Sequence, residues 1–291
     1  MVATIFSQGR FNMRKVLLAT TALVALGGVS AAHADLSISG AYEFDYVDTD
    51  GTVAVANDGN LTIKGTGSAD NGINYTVVAN YKLGDLTAES GGEDVYVQAS
   101  GDFGTLIFGK GDNAAERMDG SLGKNMDIHS SGAVASTSQV AATLTDSITF
   151  ISPNINGVTF GYTTQPEAAG VSSYIVTYSG NGISAHYAAN DTKSQMGLSF
   201  SMSGATIAVG AGDNGAASNA KSTDFGIKYA LNDTTTVAAM TASADSGEKY
   251  SNVGAKITLG GGAYTMVEYA SAKSTSGVTS NVSTIILGMA F

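Results

Sequence analysis

The sequence has no cysteine, so disulfides, zinc–thiolate sites and thiol nucleophiles are excluded at once. It has 2 prolines and no tryptophan, and only 13% of its 291 residues are charged. Positive charge is scarce: 14 lysines and arginines stand against 25 acids, and the pI is about 4.5. Such a balance argues against a basic face for nucleic acid or anionic headgroups. Also missing after residue 34 are stretches of leucine and charged residues at 3.6-residue spacing, which an enzyme of this length normally shows. What is abundant is glycine, 37 residues, alongside 13 tyrosines and 10 phenylalanines.

Residues 13–34 read "MRKVLLATTALVALGGVSAAHA": the cations Arg14 and Lys15, an apolar run from Val16 to Val29, then small residues ending in Ala32, His33 and Ala34. These are the three regions of a secretory signal with an A-x-A cleavage site, and the run is shorter than the ~20 residues a spanning helix needs. Residues 1–12 read as translated leader or a mis-chosen start. Cleavage after Ala34 would leave 35–291, a single domain with 11 cations, 25 acids and a formal charge of −14.

Within 35–291 the dominant period is two. In "LSISGAYEFDY", Leu36, Ile38, Gly40, Tyr42, Phe44 and Tyr46 alternate with Ser37, Ser39, Ala41, Glu43 and Asp45, so one strand face is apolar and the other polar. The pattern recurs and predicts sixteen strands: 36–46, 60–67, 73–81, 94–100, 105–110, 147–152, 158–164, 173–179, 183–190, 194–201, 205–212, 222–229, 234–243, 250–259, 263–271 and 282–291. Short turn sequences such as "GDFG" (101–104), "PNING" (153–157), "GNG" (180–182) and "GGG" (260–262) alternate with longer connections. The longer ones are 47–59, 82–93, 111–146, 165–172, 213–221, 244–249 and 272–281, while 191–193 breaks the alternation.

Short turns at one end and long loops at the other are the connectivity of an outer-membrane barrel. A secreted β-sandwich or β-solenoid adhesin would also show alternating strands. Against it stand a polar, acidic second face on nearly every strand and aromatics near strand ends, which lipid outside, water inside and interfacial girdles jointly explain. Phe291 shares a face with Ile285, Leu287 and Met289, as a closing strand requires. Outer-membrane barrels as a family commonly end on such a phenylalanine, which their assembly machinery reads. Phe291 is therefore the expected assembly signal.

Two segments carry a more specific likeness. "VYVQASGDFGTLIFGKGDNAAE" (95–116) and "DSITFISPNINGVTFGYTT" (146–164) flank the longest connection. They resemble the strand–turn–strand units on either side of the third external loop of alphaproteobacterial sixteen-stranded general-diffusion porins. The resemblance implies a sixteen-stranded antiparallel transmembrane β-barrel with short periplasmic turns and a third loop folded into the pore. It also implies a homotrimer in outer-membrane lipid and lipopolysaccharide, inserted by the barrel-assembly machinery. The function implied is passive diffusion of small hydrophilic solutes and ions, with no cofactor.

In that family the third loop narrows the lumen and its carboxylates face basic residues on the opposite wall. Here the candidate constriction residues in 111–146 are Asp112, Glu116, Arg117, Asp119, Lys124 and Asp127, with His129 among them. Strand parity turns Glu43, Asp45, Lys64, Lys228 and Lys256 toward water, because a lysine facing lipid at the midplane costs roughly 2 to 4 kcal/mol. Asn74, Asn80, Gln98 and His186 share that side. The family's arginine cluster is missing, Arg117 being the one arginine after residue 34. The acid excess predicts cation preference. No triad spacing accompanies His129 and His186, and no EF-hand or phosphate loop is present, yet an outer-membrane hydrolase stays open as an alternative at this point.

Overall fold

A computed structural model describes residues 35–83, 94–118, 126, 140, 142–167, 172–215 and 221–291. The signal expected at 13–34, and the constriction candidates Asp119, Lys124 and Asp127 together with His129, lie outside the described residues. Sixteen strands form one closed barrel. They are β1 (Asp35–Thr49), β2 (Thr52–Ser68), β3 (Asn74–Lys82), β4 (Asp94–Gly101), β5 (Gly104–Asp112), β6 (Thr143–Ile151), β7 (Val158–Thr164) and β8 (Ser172–Gly180). The second half comprises β9 (Ile183–Asn190), β10 (Ser194–Met202), β11 (Ala205–Asp213), β12 (Lys221–Ala230), β13 (Thr235–Ala244), β14 (Lys249–Gly260), β15 (Ala263–Lys273) and β16 (Thr279–Ala290). Each strand pairs antiparallel with the next, and β16 pairs with β1, so no sheet edge is left open.

The two-residue period sets the two faces of the wall. Along β14, Val253 and Ile257 project outward and are exposed, while Tyr250 and Asn252 point inward and are buried. The same split recurs at Phe225 and Ile227 against Asp224 on β12, and at Val267 and Tyr269 against Glu268 on β15. An exposed apolar exterior with a polar interior is the inverse of a soluble core and suits lipid outside and water inside.

Several connections are shorter than expected. The stretch 47–59, expected as an external loop, is the paired end of the β1–β2 hairpin: Thr49 faces Thr52 across a turn of Asp50 (φ 51°) and Gly51 (φ 86°). Positive φ at both central residues is the Asp-Gly hairpin geometry. With 15 and 17 residues, β1 and β2 exceed the ~9–11 that cross a bilayer, so the hairpin stands proud of it. The connections expected at 244–249 and 272–281 likewise close to tight turns between Ala244 and Lys249 and between Lys273 and Thr279. The expected long loop 111–146 narrows to 113–142, because β6 begins at Thr143 and pairs with Asp112 past a bulge at Gly109–Gly111.

The seam between β1 and β16 is fastened at both ends. At the turn side, Gly40 N donates to Phe291 O and Phe291 N donates to Gly40 O, both at 2.9 Å. At the loop side, Asp50 accepts from Asn281 N at 3.0 Å and from Ser280 Oγ at 2.8 Å. The Asn281 amide first, then the Ser280 hydroxyl, hold the Asp50 carboxyl below the usual aspartate range.

The Phe291 ring lies over Gly40: a Cβ there would stand 2.7 Å from Phe291 Cζ and 2.6 Å from Asn60 O. Gly40→Val is therefore expected to lower the fraction of heat-modifiable, folded barrel at unchanged synthesis. An unchanged folded fraction would show that closure does not depend on this close approach.

Candidate functional site

Two arcs of the inner wall differ in chemistry, and between them β3 to β6 carry Lys82 and Asp94 at inward register positions. From β7 to β11 the wall presents hydroxyls, amides and small residues: Thr159, Thr163, Ser173, Thr177, Ser184, Gln195 and Ser199 share the face opposite Phe160, Tyr174, Tyr187 and Leu198, which are exposed outward. His186 is the titratable group of this arc. From β12 round to β2 the inner face carries charge: Asp224, Lys228, Lys256, Glu268, Glu43, Asp45, Asp58 and Lys64.

Within the charged arc, cross-strand register lines up Tyr264, Gly288, Glu43 and Asp58 on β15, β16, β1 and β2. Gly288 has no side chain to obstruct the row, so the Tyr264 ring lies across it and its hydroxyl donates to Glu43 Oε1. Lys256 Nζ stands 4.8 Å from the Tyr264 ring centroid, a cation–π contact that steers this lysine along the wall. Glu43 and Asp58 are directly opposed like charges, an arrangement that attracts mobile cations.

The third loop leaves β5 and folds at once against the neutral arc. Asn113 caps the single helical turn α1 (Ala114–Arg117): its Oδ1 accepts from Glu116 N at 2.8 Å. Its Nδ2 donates to Val140 O at 2.9 Å and to Ser173 Oγ at 3.3 Å. Ala114 N donates to Thr163 Oγ1 at 2.7 Å, and Val140 N donates to Gln195 Oε1 at 2.7 Å. Both ends of the loop are thus hydrogen-bonded to the inner wall of β7, β8 and β10. Apolar contacts back this up, since Ala114, Ala115 and Val140 are buried with Ile175 and Ala188.

Met126 is the next described residue of the loop. It is completely buried in one cluster with Ala208, Ala238, Met240, Ala242, Tyr250 and Ala270, inward residues of β11, β13, β14 and β15. Around a ring of sixteen strands, β15 lies eight places from β7. Asn113, Ala114 and Val140 are thus fastened to β7, β8 and β10, while Met126 packs in a cluster of inward residues running from β11 round to β15.

The remaining expected constriction residues sit near the loop's base. Asp112 Oδ1 accepts from Thr143 Oγ1 at 2.8 Å, and Glu116 is half-buried on α1. Arg117 turns back to the wall: its Nε donates to Asp112 O at 2.7 Å and its guanidinium lies 4.5 Å from the Tyr96 ring centroid. Asn113, Met126, Asp58, Asp224 and Glu268 were not among the sequence candidates. The spacing Asn113-x-x-Glu116 is a capping signature, and Asp224 and Glu268 share strand parity with Lys228 and Met266, so three of the five had a readable signal.

The profile of the Gram-negative porin family matches residues 19–290. No curated protein matches the sequence closely enough to count as a relative. Among solved structures, the anion-selective porin from Comamonas acidovorans superposes with a TM-score of 0.73 at 15% identity, over 89% of this chain and 100% of that one. The trimer form of OmpT, an outer membrane protein of Vibrio cholerae, gives 0.71 at 10% identity over 89% and 99%. A Rhodopseudomonas blastica porin mutant gives 0.68 at 17% identity over 88% and 100%. With a closed sixteen-stranded barrel, a polar lumen and a loop base docked on its inner wall, the chain belongs to the Gram-negative porin family and is an outer-membrane channel protein.

Proposed function

We propose that this porin passes small hydrophilic solutes by diffusion and favours cations. The observation that carries the sign is the charged arc, where Glu43, Asp45, Asp58, Asp224 and Glu268 outnumber Lys64, Lys228 and Lys256. Carboxylates on a confined wall raise the local cation concentration. The fold does not fix that sign by itself, since the Comamonas acidovorans neighbour is described as anion-selective. Constriction by the third loop, through Glu116, Asp112 and the segment holding Asp119, Lys124 and Asp127, belongs to the same reading.

The trimer form of the Vibrio cholerae neighbour supports a homotrimer. Lipopolysaccharide around the exposed apolar exterior, the barrel-assembly machinery reading Phe291, and export with cleavage after Ala34 complete the proposal. Liposome swelling tests the channel: purified protein should admit neutral sugars at rates that fall with solute size. Liposomes that swell no faster than protein-free ones would reject it.

A further inference from the structure

Beside Glu268, the inner faces of β13 and of the far end of β15 carry an apolar patch where a water-filled lumen calls for polar residues. Ala238, Met240, Ala242 and Ala270 are buried there, with Ala272 and Val282 packed against them. Left bare, such a patch would hold water against apolar surface at a free-energy cost proportional to its area. Met126 buries itself in this patch with none of its surface exposed. A flexible thioether suits such an irregular apolar gap.

We propose that Met126 is a positioning residue that latches the far side of the third loop to the β13–β15 wall and so sets the width of the pore. The inference rests on the constriction reading above. It gives the loop two unlike fastenings: hydrogen bonds from Asn113, Ala114 and Val140 on the neutral arc, and an apolar contact within the cluster that reaches from β11 to β15. Salt screens charges but leaves an apolar contact intact, so the latch keeps the constriction the same width as ionic strength changes.

The chain has no cysteine, so paired substitutions supply its only thiols. Met126→Cys combined in turn with Ala238→Cys, Ala242→Cys and Ala270→Cys should yield an intramolecular disulfide in at least one folded outer-membrane variant. Met126→Cys with Ser199→Cys, on the lumenal face of β10, should not. Met126→Asp should reduce the ratio of docked to undocked loop about 10- to 100-fold, the magnitude set by exposing one buried apolar side chain, and should raise single-channel conductance and the solute exclusion limit. Met126→Leu should leave both unchanged. No disulfide in any of the three pairs, or one equally efficient with Ser199→Cys, overturns the latch whatever the conductance does. Disulfide formation with unchanged conductance in Met126→Asp overturns its role in setting pore width and counts against the constriction reading itself.

Discussion

Gly161→Val is expected to widen the pore and make its current noisy while the barrel still assembles. Gly161 faces the lumen on β7 directly beneath α1, and a Cβ there would stand 2.7 Å from Ala114 Cβ, 2.7 Å from Met118 Sδ and 2.9 Å from Ile175 Cγ2. Two of those neighbours belong to the loop and one to the wall. The wall is held by continuous ladders on both sides of β7, whereas α1 is a single turn, so α1 is the element that yields. Overpacking of this kind costs about 1 to 3 kcal/mol, which lowers the docked fraction of the loop base roughly 5- to 150-fold. Planar-bilayer recording reads this as higher mean conductance with fast fluctuations. Asn113→Ala should move the same way, because it removes the cap of α1 and strands the buried partners at Val140 and Ser173. Wild-type conductance in both variants would mean that the docked loop does not limit flow.

Neutralising the acidic end of the charged arc should have the largest effect on selectivity. In the triple variant Glu43→Gln, Asp45→Asn, Asp58→Asn, three adjacent lumenal carboxylates on β1 and β2 vanish and Lys64 on the same pair of strands remains. The reversal potential under a KCl gradient should fall toward zero or change sign. A control triple, Asp48→Asn, Asp102→Asn, Asp233→Asn, removes equal charge from strand ends and turns outside that arc and should shift it much less, because water and salt screen exposed charges beyond ~8 Å. Equal shifts from the two triples would place the selective field outside the lumen.

Asp58 illustrates why part of the site was hidden in the sequence. Alternation marks a strand only where the outward positions are apolar, and on β2 the outward positions opposite Phe44 and Tyr42 are Asn57 and Gly59. The apolar rhythm therefore fades while the ladder continues, and Asp58 reads as loop although it faces Glu43 across the hairpin. The turn Asp50-Gly51 was the local clue. Inside the bilayer the rhythm holds, which is why Glu43, Asp45, Lys64, Lys228 and Lys256 could be assigned a face from parity alone. Met126 is different in kind: nothing in the spacing singles it out from Leu122, Ile128 and Val134 in the same connection, and its partner patch is visible only when Ala238, Met240 and Ala242 are recognised as lumenal. Arg117, read from the sequence as a constriction residue, stays on the lumenal side over Tyr96, an inward residue of β4, where the short α1 points it back toward β4 and β5.

The most direct test of the account is the wild-type reversal potential of single channels in a planar bilayer under a tenfold KCl gradient. Discrete conductance steps with a reversal potential on the potassium side of zero are predicted, since the lumenal arc carries more carboxylates than lysines. Discrete steps with a reversal potential on the chloride side would contradict the assignment of that arc as the selective surface, and the absence of steps would contradict an open channel.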